Sequence, residues 1–194
     1  MKEIKAVIFD WAGTTIDYGC FAPVRAFIEG FKSIGVDISE ETARKPMGLS
    51  KLDHVRAIAS MLNRPVSEKE IFSAYYSFEN TLFKDIENYC DIKDHVIKTV
   101  SLLRKNGIFI GSTTGYTASM MEKVLAESKR RGYAPDFCVT PDQTVKGRPY
   151  PYMIWENLKY FGLLNASQAV KVGDTAADIE EGKNAGCFTV GVIM

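Results

Sequence analysis

The stretch Ala6-Val7-Ile8-Phe9-Asp10-Trp11-Ala12-Gly13-Thr14-Thr15 sets a short apolar run against an abrupt loop of acidic, small and hydroxyl side chains. A run of this length suits a buried strand. Its break at Asp10 comes too early for the apolar core of a signal peptide. Comparable runs recur at 108–111, 137–140, 169–172 and 188–193. Helical spacing fills most of the intervals, at 96–105, 118–131, 152–161 and 175–185, with Gly107, Gly132, Gly162 and Gly186 placed as C-terminal stops. This alternation predicts an α/β fold: a doubly wound, mainly parallel, Rossmann-like sheet covered by helices.

One interval breaks the rhythm. Between the first strand and the helix at Val96 no convincing strand occurs, and the segments 21–34, 50–62 and 72–86 read as helices. Ser50 with Asp53, and Ser67 with Glu70, have the spacing of capping boxes. A helical cap domain is therefore expected over residues 19–92, inserted into an α/β core formed by residues 1–18 and 93–194.

The 194 residues fit one domain carrying an insertion. Lysine plus arginine and aspartate plus glutamate number 24 each, so the formal net charge is zero, and no block of like charges breaks the mixture. Nucleic acid and anionic membranes are excluded as partners on that pattern, which leaves a small molecule. No apolar run approaches the ~18 residues of a membrane span, and a cytoplasmic protein is expected. Cys20, Cys90, Cys138 and Cys187 lie far apart and read as reduced thiols.

In doubly wound sheets, sites form where loops leave the carboxyl ends of strands. Four such loops carry polar groups: Asp10 to Thr15, Gly111-Ser112-Thr113-Thr114-Gly115-Tyr116, Lys146-Gly147-Arg148-Pro149, and Gly173-Asp174-Thr175-Ala176-Ala177-Asp178. Carboxylates such as Asp10 and Asp174 suit Mg²⁺, glycine amides and hydroxyls cradle phosphoryl oxygens, and an arginine neutralises their charge. Simpler readings stand beside these. Asp174 and the threonines at 113 and 114 could cap helices, and Arg148 could be a solvated surface residue.

The order FDxxGTT, then STTG, then a basic residue before proline, then GDTxxD resembles the haloacid dehalogenase superfamily of phosphotransferases. The stretches Asp17-Tyr18-Gly19-Cys20-Phe21-Ala22-Pro23 and Arg44-Lys45-Pro46-Met47-Gly48 ahead of Lys51 and His54, with Gly147-Arg148-Pro149-Tyr150-Pro151, resemble its phosphonoacetaldehyde hydrolase (phosphonatase) family. The resemblance implies cleavage of the P–C bond of phosphonoacetaldehyde to acetaldehyde and phosphate, in the use of 2-aminoethylphosphonate. Asp10 would be the nucleophile, forming an aspartyl phosphate. Mg²⁺ would be held by Asp10, the Ala12 carbonyl and Asp174, with Asp178 supporting its shell. Thr114, Gly115 and Arg148 would bind the phosphoryl group, Lys51 would form a Schiff base with the aldehyde, and His54 would carry protons. It further implies a homodimer formed through the cap, for which Phe21, Phe27 and Phe31 offer an apolar seam unless they pack inside it.

The residues fit the chemistry that the resemblance implies. Most phosphatases of the superfamily carry a second acid two residues after the nucleophile, where this chain has Ala12. A general acid contributes roughly 10² to 10⁴ in rate, so the leaving group needs other help. A carbanion leaves readily when its electrons flow into a protonated imine, which Lys51 would supply. With an ordinary pKa near 10.4 only about 0.04% of a lysine is neutral at pH 7. At the N-terminus of a helix capped by Ser50, and under a closed cap, its ammonium form is disfavoured. His54 lies on nearly the same helical face; a solvated lysine beside a surface histidine is the bland alternative. Met47 and Cys20 either line the aldehyde site or fill the core, Tyr116 either bonds near the substrate or packs, and His95 is expected to be exposed.

The alternatives are a P–O phosphatase or phosphomutase of the same fold, which Ala12 disfavours, and a non-catalytic phosphometabolite-binding protein. The resemblance also implies further chain beyond Met194. With apolar groups on both faces of the last strand, 188–194, its ending there is expected to leave one face partly open and the protein poorly stable.

Overall fold

β1 (Ala6–Phe9) is buried at all four positions, and its two faces feed two separate cores. Val7 and Phe9 join a core containing Val100, Met120, Met121 and Val124, whereas Ala6 and Ile8 pack with Ile154, Leu158, Ala169 and Ala185. A strand apolar on both faces can only be central, with helices above and below. The computed structural model, which describes residues 3–193, places it so. The sheet has the order β3-β2-β1-β4-β5, all strands parallel, with β2 Phe109–Thr113, β3 Phe137–Val139, β4 Ala169–Gly173 and β5 Phe188–Gly191. The expected α/β architecture is therefore present.

Four helices return the chain through the core. They are α5 (Val96–Lys105), α6 (Ala118–Arg130), α7 (Tyr152–Tyr160) and α8 (Ala176–Ala185). Gly107, Gly132, Gly162 and Gly186 follow them with positive φ, as helix stops require. β2 runs two residues further than its apolar pattern suggests, because Thr113 still pairs with Val139. β5 closes at Gly191 with Phe188 and Val190 exposed, and Met194, counted in the expected last strand, lies outside the described residues.

Four helices make up the insertion: α1 (Phe21–Lys32), α2 (Glu40–Arg44), α3 (Lys51–Ser60) and α4 (Glu68–Asp85). The short α2 has no apolar stripe and was not expected. α4 starts at its Ser67–Glu70 capping box rather than at Phe72, since the box precedes the first apolar residue of the helix. At Ser50 only the serine side of the box forms; its hydroxyl takes the Asp53 N–H and donates to the Asp53 carboxylate at 2.6 Å.

α1 and α4 cross at Gly30, where a β-carbon would stand 2.7 Å from the Ala74 carbonyl. The close approach stacks Phe27 on Phe78 and buries Phe31. This corrects the expected apolar seam: Phe27 and Phe31 are interior and only Phe21 remains exposed. The cap is tied to the core where its two linkers meet. Asp17 donates its N–H to the Asp91 carbonyl, and Lys93 reaches back to the Thr15 and Gly13 carbonyls. Among the described residues no helix is long and apolar enough to cross a membrane, and all four cysteines are free thiols.

Candidate active site

β1 lies between β2 and β4, where the strand order reverses, and the loops leaving β1 and β4 open a crevice at such a point. Asp10 stands there. Its N–H donates to the Val172 carbonyl at 2.9 Å, and Thr15 Oγ1 donates to its carbonyl at 3.0 Å, so the backbone is clamped while the carboxylate projects past the sheet. Asp174, beyond β4, accepts Thr14 Oγ1 at 2.7 Å. Gly13, at φ 91°, is required here, since a β-carbon would come within 2.3 Å of the Asp174 carboxylate.

The capping alternative for Asp174 falls to its neighbours. Thr175 is the N-cap of α8 and forms a capping box with Asp178. Thr113 lies within β2, Thr114 Oγ1 accepts the Tyr116 N–H at 3.1 Å, and the α6 N-terminus is bonded instead by Asp142. Nor is Arg148 solvated. It is buried, with Nη2 2.6 Å from Asp10 Oδ1 and 2.7 Å from the Thr113 carbonyl, Nη1 3.0 Å from Asp178 Oδ1, and Nε 3.1 Å from Glu181 Oε2. Although burial opposes its charge, those carboxylates raise its pKa above the ordinary arginine value.

The carboxylates of Asp10, Asp174 and Asp178 offer oxygens within 4.8 Å of one another. Asp10, Asp178 and the buried Glu181 face two cations, Arg148 and Lys171, while Asp174 has the Thr14 hydroxyl and no ion-pair partner among the described residues. Burial, and then the like charge of Asp10, push the Asp174 carboxyl up to about 7. Hard oxygen donors with uncompensated charge fit a divalent cation. Asp178 is the most engaged of the three, holding Arg148, Lys171 and Thr175.

The cap closes over this floor. Met47, Gly48 and Lys51 from the cap meet Asp10, Ala12, Thr114, Gly115, Tyr116 and Arg148 around a cavity of about 20 Å³, with Pro23 and Thr175 completing the wall. The fit is tight, for a β-carbon on Gly48 would meet Thr175 Oγ1 at 2.4 Å and one on Gly115 would meet the Leu49 carbonyl at 2.4 Å. Lys51 is 5% exposed, its ammonium 4.7 Å above the Tyr116 ring and 5.8 Å from that of Phe27. Burial lowers its pKa to about 8.

His54 is wholly buried, stacked at 3.8 Å on Phe27, with Nε2 donating to the Ala43 carbonyl at 2.8 Å and Nδ1 without a partner. Burial, then the Lys51 charge, bring its pKa down to about 3, so it is neutral. The surface alternative for Lys51 and His54 is thus excluded. Cys20, the N-cap residue of α1, is buried, and burial beside Asp174 and Asp10 raises the pKa of its thiol. His95 is exposed. Lys171, Glu181, Pro23 and the Thr14 hydroxyl were not singled out from sequence; a lysine between Val170 and Val172 in an apolar strand was the available signal.

A family profile described as haloacid dehalogenase-like hydrolase matches residues 4–186. The chain is 48% identical to the phosphonoacetaldehyde hydrolase of Bacillus cereus, over 99% of its own length and 76% of that protein's. It is likewise 48% identical to a bifunctional phosphonoacetaldehyde hydrolase/aminoethylphosphonate transaminase of Clostridioides difficile, of which it spans 32%. Among solved structures it is similar to a phosphonoacetaldehyde hydrolase-like protein from Oleispira antarctica, with TM-score 0.91 and 34% identity over 98% of this chain and 73% of that one.

Proposed function

The chain belongs to the phosphonoacetaldehyde hydrolase family of the haloacid dehalogenase-like hydrolases, and on that premise we propose that it cleaves phosphonoacetaldehyde to acetaldehyde and phosphate through a Lys51 imine and an Asp10 phosphate. The observation that carries the mechanism is that a buried lysine amine and a buried aspartate line one small cavity, with Ala12 where a phosphatase would need an acid.

The neutral Lys51 Nζ adds to the aldehyde carbonyl, and uptake of one proton with loss of water leaves a protonated imine. At a pKa of about 8 roughly a tenth of the amine is neutral at pH 7, some two hundredfold more than in an ordinary lysine. An Asp10 carboxylate oxygen then attacks phosphorus. The P–C bond breaks, and its electron pair moves through the α-carbon to neutralise the iminium nitrogen, giving an enamine and an aspartyl phosphate. Water attacks the phosphate to release Asp10. The enamine takes a proton at carbon, and hydrolysis of the resulting imine returns acetaldehyde and Lys51.

His54 is the candidate proton carrier through Nδ1, since its Nε2–H is spent on Ala43, and with a pKa of about 3 it would pass a proton on rather than hold one. Arg148 Nη2 holds one Asp10 oxygen and leaves the other to attack. Thr114 and Gly115 contribute the phosphoryl cradle, and Met47, Cys20 and Tyr116 the apolar surroundings of the aldehyde. The cation assigned to the site is Mg²⁺, which Asp10, the Ala12 carbonyl and Asp174 would hold with Asp178 behind them, and which would supply charge neutralisation to phosphoryl oxygens. A cytoplasmic location and a homodimer through the cap complete the reading, with Phe21 as the exposed phenylalanine of the three considered.

Incubation with phosphonoacetaldehyde and Mg²⁺ tests this directly. Equal amounts of acetaldehyde and phosphate are expected, and borohydride added with acetaldehyde should tag Lys51 covalently. Turnover without any Lys51 adduct on peptide mapping would overturn the imine, and turnover of phosphate esters alone would favour the P–O reading.

A further inference from the structure

Two buried charges beneath Asp10 take no part in that chemistry. Lys171 projects from the middle of β4 and Glu181 from α8, both wholly buried. Gly182 makes room for the lysine stem, since a β-carbon there would stand 2.8 Å from Lys171 Cβ.

Their partners reveal a competition. Three carboxylates share the Arg148 guanidinium, but only Asp10, on Nη2, lies at the reacting end; Asp178 and Glu181 draw on Nη1 and Nε from behind. Lys171 Nζ sits on the same two rear oxygens, 2.8 Å from Asp178 Oδ1 and 3.4 Å from Glu181 Oε2, with Thr113 Oγ1 at 2.9 Å. Removing Lys171 alone leaves two rear carboxylates facing one guanidinium and draws it away from Asp10. Removing Glu181 alone frees Nε and leaves the lysine charge pressing on Arg148. Removing both charges restores the balance, with a glutamine oxygen still able to accept from Nε.

We propose that Lys171 and Glu181 are positioning residues, a charge-balanced pair that keeps the Arg148 guanidinium directed at Asp10 and so readies the nucleophile for the phosphoryl group. The inference rests on the assignment of Asp10 as the phosphoryl acceptor. A purely structural ion pair would affect folding and leave the folded site unchanged.

Orthovanadate, a phosphoryl mimic, distinguishes the two when titrated calorimetrically in the presence of Mg²⁺ into wild type, Lys171→Met, Glu181→Gln and the double variant. Each folded single variant should bind about tenfold more weakly or worse, and the double variant should return to within about threefold of wild type. Borohydride tagging of Lys51 by acetaldehyde should be unchanged in all four, because the imine needs neither Arg148 nor Asp10. Should Lys171→Met not fold, Glu181→Gln against the double variant decides. Folded single variants that bind like wild type, a double variant as weak as Glu181→Gln, or a wild type that binds no orthovanadate would each overturn the proposal. Failure of the wild type to cleave phosphonoacetaldehyde would instead count against the substrate, leaving the vanadate ranking to judge the pair.

Discussion

Two lysines are buried within the reach of one active site, and they are treated in opposite ways. Lys171, in the core, is met by two carboxylates and a hydroxyl. Lys51, in the cap, meets the rings of Tyr116 and Phe27, and its pKa falls to about 8. Desolvation penalises an ammonium in both places; what differs is whether the surroundings return the lost hydration. The core returns it and keeps a counter-charge. The cap withholds it and leaves about a tenth of the amine neutral at pH 7.

The most severe way to divide these regions is Asp10→Asn, which removes the proposed nucleophile from the core while leaving the cap intact. Phosphate release should fall by about 10⁴ or more, while borohydride still tags Lys51 with acetaldehyde. Loss of tagging together with turnover would show that the two halves are not separable.

The same substitution at the two lysines should then move stability in opposite directions. Lys171→Met leaves buried carboxylates without their counter-charge and should destabilise by about 3–5 kcal/mol, read by urea unfolding at pH 7. Lys51→Met should stabilise. Because the folded-state pKa of Lys51 lies below its unfolded value of 10.5, protonation costs the folded state up to about 3 kcal/mol; the penalty is full below pH 8 and gone above pH 10.5. The advantage of Lys51→Met should accordingly shrink as pH rises through that window. A destabilised Lys51→Met at pH 7 would break the contrast.

The smallest effect is the pH dependence of tagging itself. Only the neutral amine adds to acetaldehyde, so the initial rate of imine formation, trapped by borohydride, should rise about tenfold per unit up to pH 8 and level off above it. Phe27→Ala, which loosens the apolar wall, should move that midpoint upward.

The contrast also explains what could be read from sequence. Strand runs, glycine stops and capping serines are local signals, so β1, the core helices and the cap's main helices were visible without coordinates. Asp10, Lys51, Thr114, Arg148 and Asp174 were visible because the motif that carries each is contiguous. Lys171 and Glu181 were not, since their meaning lies in partners as far off as Thr113, and a single lysine or a helical glutamate looks like surface until the sheet closes. Phe27 and Phe31 illustrate the same limit, their spacing fitting an outward seam or an inward core until Gly30 lets α4 approach.

The cavity of about 20 Å³ between cap and core limits what the site can hold as it stands. That is room for about one water molecule, less than a two-carbon phosphonate occupies. A substrate of that size would need the cap to shift from the core, toward the larger opening of about 610 Å³ that Lys51 and Arg148 also line. On the proposed reaction such a shift would accompany every turnover, and its speed would then bound the rate.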